Sequence, residues 1–164
     1  MRGKRIGRIG MTALILVLAS TLGGTAFAQH PTPTGTGCTL GFWKNHLEDW
    51  PPTGFSPAQS VTSAGFIVPA VIPGGLGAAT LLQALEFPGG PGLDGAARIL
   101  LRQAVAALLN AAHPAVNYPV TVAGVRALTN AALASLVRET MLTLASQFDA
   151  FNNLGCPLPL RRDH

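Results

Sequence analysis

The sequence predicts an all-α fold: a compact bundle of about five or six short helices with extended loops, whose ends are tied by one disulfide. Two observations favour helices. Apolar residues recur at helical spacing in several segments between residues 78 and 153, and prolines and glycines interrupt these segments. A third observation predicts the disulfide: the chain has two cysteines, Cys38 and Cys156, one at each end of this region.

The beginning of the chain has the pattern of a secretory signal peptide. A basic start is followed by an apolar run centred on residues 11–18, and Ala26-Phe27-Ala28 has the small-x-small pattern that signal peptidase accepts. We therefore expect cleavage after Ala28 and a secreted, extracellular or cell-envelope protein. An uncleaved anchor is the less favoured alternative, because the apolar run is shorter than the roughly 20 residues that span a bilayer.

Removal of residues 1–28 leaves a chain without net charge. Four of the eleven Lys and Arg residues lie in that segment, so seven basic residues remain against seven acidic ones. The formal charge of +4 therefore belongs to the targeting segment. Nothing in the remaining charge pattern indicates nucleic acid as a partner, and no later stretch is expected to span a membrane.

The rest of the chain is expected to form one domain. Residues 29–37 form a Pro/Thr/Gly leader, residues 38–157 the helical domain, and residues 158–164 a tail. In an oxidising compartment the two cysteines would form one disulfide, and two independent buried thiols are the alternative.

Residues 38–50 open the helical domain and contain both tryptophans of the chain. Thr39 is a plausible N-cap for a helix over residues 40–49, and Pro51-Pro52 ends it. Helical spacing would put four side chains on one face: Trp43, His46, Leu47 and Trp50. On the other side it would make i, i+4 neighbours of Lys44 with Glu48 and of Asn45 with Asp49.

The middle of the chain predicts short helices and one long loop. A short helix is expected to begin at Ser56-Pro57 and to end by Gly65. Residues 66–77 contain two prolines and predict an apolar extended loop across the core. Residues 78–87 return to helical composition before a Pro/Gly-rich break.

The second half predicts three longer helices. The first runs from Asp94, a good N-cap, to about residue 112, and because it is apolar nearly all round it is expected to be central and buried. Thr121 is expected to cap a helix over residues 122–135. Residues 136–153 are expected to continue as helix, either kinked or restarted near Ser135.

Several of these segments together resemble a set of exported bacterial proteins. That set shares an opening GCT-x-G-[FY]-W-K-N-H signature, matched here from Gly37 to His46, and a C-terminal NNLGCPL motif, matched from Asn152 to Leu158. Similar segments between the two extend the resemblance over nearly all of residues 29–164. The resemblance implies export, and for some members a cell-surface location, but no activity, cofactor or catalytic residue.

No motif in the chain indicates catalysis or a cofactor. The sequence lacks a Gly-x-Ser-x-Gly elbow, paired Cys-x-x-Cys, His-x-x-x-His, an EF-hand loop and a phosphate-binding loop. We therefore expect a protein that is not an enzyme, with no cofactor and no metal. His46 with Glu48 or Asp49 would form at most a partial metal site, and a capped helix with solvated acids is the favoured interpretation.

Two interpretations of the opening helix remain. An aromatic stripe at helical spacing most often packs into the core. The alternative is a partly exposed platform for a sugar ring or a peptide. In that case the candidate binding edge consists of Trp43, Lys44, Asn45, His46 and Trp50.

The sequence therefore predicts a secreted or cell-surface structural or interaction module without catalytic activity. The alternative function is a small glycan- or peptide-binding domain that uses the helix with Trp43 and Trp50. The candidate partners are proteins or glycans of the cell envelope or the extracellular space.

Overall fold

The computed structural model describes residues 34–159, and within them the all-α prediction is confirmed. Five α-helices occur in this part of the chain: α1 (Leu40–Asn45), α2 (Leu81–Leu85), α3 (Gly92–Ala112), α4 (Val122–Ala134) and α5 (Arg138–Asn152). Two 3-10 turns, Leu47–Asp49 and Pro51–Thr53, follow α1. The predicted cleavage after Ala28, most of the leader and most of the tail lie outside the described residues.

Helix α3 is the centre of the bundle, as its all-round apolar pattern predicts. Residues 104–109 are six consecutive positions with no solvent exposure. Each of the other four α-helices packs against α3, and α5 makes the most extensive contact. A helix in this position needs apolar side chains on every face, because every face meets another element.

The start of α3 differs from the prediction. The helix begins at Gly92 with Pro91 at the N-cap position, so Asp94 lies in the first turn and is not the cap. There its carboxylate still faces the positive end of the helix dipole and lies 3.9 Å from the guanidinium of Arg98. Gly95 allows the preceding loop to approach, since a Cβ at this position would lie 2.2 Å from the carbonyl oxygen of Gly90.

The predicted cap of α4 and the predicted interruption near Ser135 agree with the structure. Thr121 accepts a hydrogen bond from the Gly124 amide and caps α4. Between α4 and α5 the helix restarts and does not merely kink, because Leu136 has a φ of 54° and Val137 is extended. Val137 is 49% exposed.

Residues 55–80 form loops and turns. The helix expected after Ser56 is absent. Instead the segment forms turns, and the amides of Val61 and Thr62 donate to the carbonyls of Ala79 and Gly77 in the later loop. The predicted loop over residues 66–77 is confirmed, and α2 after it is shorter than predicted. Three loop side chains enter the core: Phe66, Ile72 and Leu76.

A disulfide between Cys38 and Cys156 joins the two ends of the bundle, as predicted. Their Cα atoms are 4.3 Å apart, and Gly37 pairs with Gly155 in an antiparallel bridge beside them. The bond closes a loop with a sequence separation of 118 residues, for which the chain-entropy model gives about 4–5 kcal/mol of stabilisation. Among the described residues, no helix combines the length and the apolar character needed to cross a membrane.

Candidate functional site

The opening stretch is helical for a shorter distance than predicted. Thr39 caps α1 by accepting a hydrogen bond from the Phe42 amide, as expected. The α-helix ends at Asn45, because His46 has φ −122° and ψ 69°, outside the helical region. The chain continues in 3-10 turns, so the predicted single face is not formed and Leu47 is 43% exposed.

Both tryptophans are nevertheless buried. Trp43 is 0% and Trp50 1% exposed, so the exposed-platform interpretation is wrong and the core interpretation is confirmed. The indole N–H of Trp43 donates to Asn110 Oδ1 at 3.1 Å, and that of Trp50 donates to the Trp43 carbonyl at 2.8 Å. Neither ring face nor indole N–H is free to hold a ligand.

The side chain of Asn110 on α3 joins the opening stretch to the core. Its Oδ1 accepts hydrogen bonds from the Cys38 amide (2.8 Å) and from Trp43 Nε1, while its Nδ2 donates to the Cys38 carbonyl (2.8 Å) and to Asn152 Oδ1 (2.9 Å). Two donors and two acceptors use the full capacity of this amide. Asn110 is completely buried, so each of these bonds replaces one that water would otherwise make.

The bonding continues from Asn110 into α5. Asn152 Oδ1 also accepts from the Tyr118 hydroxyl at 3.0 Å, and Asn152 Nδ2 donates to the carbonyl and the side-chain oxygen of Gln103. Gln103 Nε2 in turn donates to Asp149 Oδ1 at 2.9 Å. We call the buried set that is centred on Asn110 and includes Cys38, Trp43, Asn152, Gln103 and Tyr118 the Asn110 network.

Sequence reasoning missed this network. In the sequence Asn152 belongs to the C-terminal NNLGCPL motif and Asn110 to the long apolar helix, and neither pattern assigns a partner to these residues. The sequence contains one indication of the network: Asn110 directly follows six apolar residues, 104–109, in the helix expected to be most buried. A polar residue in such a place needs partners, although the sequence does not show which ones.

Of the candidate binding edge, three residues remain near the surface. Lys44 Nζ lies 3.9 Å from Glu86, beyond the end of α2. Asn45 donates to the Gly41 carbonyl at 2.9 Å. The His46 ring stacks on Phe42, with centroids 4.4 Å apart, and its Nδ1 lies 3.0 Å from Glu48 Oε1.

Asn45 and His46 line a cleft of about 370 Å³ beside the disulfide. The opposite wall is the end of α5 and the chain after it, including Asn152, Asn153 and Cys156. The cleft therefore combines two of the five predicted edge residues with a segment more than a hundred positions away. Trp43 and Trp50 do not line the cleft and are buried in the core.

His113 has a structural role. It is buried at the end of α3, where its Nδ1 accepts a hydrogen bond from the Ala115 amide. Burial lowers the pKa of His113, and the nearby Asp49 carboxylate opposes this effect more weakly. A neutral ring with its Nδ1 lone pair already used packs beside Trp43 at a centroid distance of 6.0 Å.

Comparison of the chain with protein-family models, with curated proteins and with solved structures returns no match. The resemblance to exported proteins with the GCT-x-G-[FY]-W-K-N-H signature therefore stays a prediction.

Replacement of Asn110 by Ala should lower the free energy of unfolding by about 3–4 kcal/mol, because it leaves the buried N–H and C=O of Cys38 and the indole N–H of Trp43 without partners. Asn45→Ala is the matched control: this exposed amide makes one local bond, and its loss should change stability by about 0.5 kcal/mol or less. Urea denaturation of the oxidised variants measures both. Similar stabilities for the two variants would contradict the role assigned to Asn110.

The ionisation of Tyr118 should be coupled to unfolding at high pH. Burial raises the pKa of the Tyr118 hydroxyl, whereas a tyrosine in an unfolded chain has a pKa of about 10. The folded protein thus keeps a proton that the unfolded chain releases, and stability should fall as the pH rises above about 10. This component of the pH dependence should be absent in Tyr118→Phe.

Phenolate absorbance can test this prediction directly, since the chain has a single tyrosine. Phenolate should form only together with the loss of helical circular dichroism. A phenolate midpoint near pH 10 in a protein that is still helical would contradict it.

Proposed function

We propose that the chain is an exported structural or interaction module without catalytic activity, and that its partner is an extracellular or cell-envelope protein bound at the cleft beside the disulfide. The observation that carries this proposal is the junction of the two ends of the domain. The chain enters at Gly37 and leaves at Gly155 as bridged neighbours, with the Cys38–Cys156 bond next to them.

This junction suits a module that bears load or is held at a surface. Tension applied through the flanking segments would pass across the disulfide and would not reach the helices between the cysteines. Reduction would be needed before about a hundred residues could be pulled out, and oxidising compartments preserve the bond. The signal-like segment predicts export to such an oxidising compartment, where the disulfide would stay intact.

The chemistry of the cleft favours a protein segment over a sugar. Sugar rings are commonly bound by stacking on exposed aromatic faces, and both indoles are buried. The cleft instead offers the amides of Asn45 and Asn153 and the ring of His46, which can donate to and accept from peptide groups. The disulfide and the Asn110 network hold the walls of the cleft in place, so less conformational entropy is lost when a partner binds.

Site-specific photo-crosslinking in cells that export the protein tests the proposal. A photoreactive residue at Asn45 should give a discrete adduct in the envelope or extracellular fraction. The matched control is the same residue at Gln147, an exposed position on α5 away from the cleft. Asn153→Arg, which fills the cleft, should abolish the Asn45 adduct.

Two results would contradict the proposal. One is recovery of the protein solely as a free monomer without adducts. The other is equal labelling from Asn45 and Gln147, which would indicate collision and not binding at the cleft.

A further inference from the structure

We infer that His46, Glu48 and Asp49 form a binding site for one Zn²⁺-like divalent metal ion. This inference goes beyond the proposed function and does not depend on it. We call these three residues the 46–49 cluster. Within residues 34–159 they are the group of three in which one ligand atom from each lies within 4.8 Å of the others.

The backbone explains why the three side chains meet. Because α1 ends at Asn45, the next residues form a 3-10 turn in which the Asp49 amide donates to the His46 carbonyl at 3.2 Å. Residues i and i+3 of such a turn project from the same side, which superposes His46 and Asp49.

Two of the three ligands are held in place without a metal. The His46 ring is stacked on Phe42, and its Nδ1 lies 3.0 Å from Glu48 Oε1. Around tetrahedral zinc, with bonds of about 2.0–2.2 Å, ligand atoms lie about 3.4 Å apart. The cluster therefore needs only small side-chain movements to reach this geometry.

Asp49 supplies an independent indication of a ligand. The residue is only 9% exposed, and its Oδ2 is buried without a hydrogen-bond partner among the described residues. A buried carboxylate oxygen normally accepts hydrogen bonds or coordinates a metal, because its desolvation is otherwise uncompensated. A carboxylate oxygen of this side chain belongs to the 4.8 Å group, so a cation in the cluster would bind the carboxylate whose Oδ2 has no hydrogen-bond partner.

The donor set points to the class of metal. One imidazole nitrogen with two carboxylates suits Zn²⁺ and neighbouring transition metals, whereas Ca²⁺ takes six to eight oxygen ligands and Mg²⁺ an octahedron of them. Both cysteines are in the disulfide, so no thiolate competes for the metal. Three protein ligands leave a fourth position for water or for a donor atom of another molecule, and His46 also lines the cleft.

Calorimetric titration with Zn²⁺ at neutral pH tests the inference on the untagged, oxidised protein after treatment with a chelator. His30 and His164 lie outside the described residues and could bind zinc by themselves, so His30→Gln/His164→Gln is the background for all measurements. In this background we expect one Zn²⁺ per chain. X-ray absorption at the zinc edge should show nitrogen and oxygen ligands at about 2.0–2.2 Å and no sulfur.

Substitutions in the cluster locate the site. His46→Gln and Asp49→Asn should each weaken Zn²⁺ binding at least tenfold, whereas Glu139→Gln, at an exposed acid on α5, should leave it unchanged. If the buried Asp49→Asn variant fails to fold, the variant His46→Gln, at a partly exposed side chain, decides the question.

The inference is overturned if the background variant binds no stoichiometric zinc or if His46→Gln binds it as tightly. Equal affinity for Ca²⁺ would likewise overturn the assignment to a transition metal.

Discussion

The structure depends on one buried amide. Where the chain enters the core at Cys38, its N–H and C=O leave water, and an unpaired backbone group in that position would be costly. Asn110 provides both a donor and an acceptor from one planar group and so pairs with Cys38 as a neighbouring strand would. The same amide also holds the indole of Trp43 and the side chain of Asn152, so the opening stretch, α3 and α5 meet at a single point.

The disulfide joins the opening stretch to the segment after α5 covalently. Cys156 follows Asn152 by four residues, and Cys38 is the residue whose backbone Asn110 binds. The Asn110 network thus brings the two cysteines together, and oxidation makes the contact permanent. The surface features follow from the same arrangement: the cleft lies between the two joined segments, and the 46–49 cluster begins where the fixed part of α1 ends.

Local patterns predicted much of this fold. The Thr39 and Thr121 caps, the central α3 and the burial of both tryptophans depend on spacing and composition within short segments, and the disulfide follows from the presence of two cysteines in the chain. The break at His46 could not be read in the same way, because nothing in residues 40–49 opposes a longer helix. The partners of Asn110 lie 72 and 42 positions away, and such contacts depend on the whole fold.

A second amide shows the same limitation. Asn130 on α4 accepts a hydrogen bond from the Ile67 amide and donates to the Gly65 carbonyl, which fixes the long loop as Asn110 fixes the opening stretch. Both residues follow an Ala/Leu-rich run and look alike in sequence. That each binds the backbone of a distant segment is visible only in the folded chain.

Native-state hydrogen exchange of the reduced protein tests the central claim, that the Asn110 network positions the opening stretch without help from the disulfide. The indole N–H of Trp43 should exchange as slowly as the most protected amides of α3, because it opens only with global unfolding. Exchange of this proton many times faster than that of the α3 amides would show that the stretch detaches once the disulfide is broken, and would contradict the account.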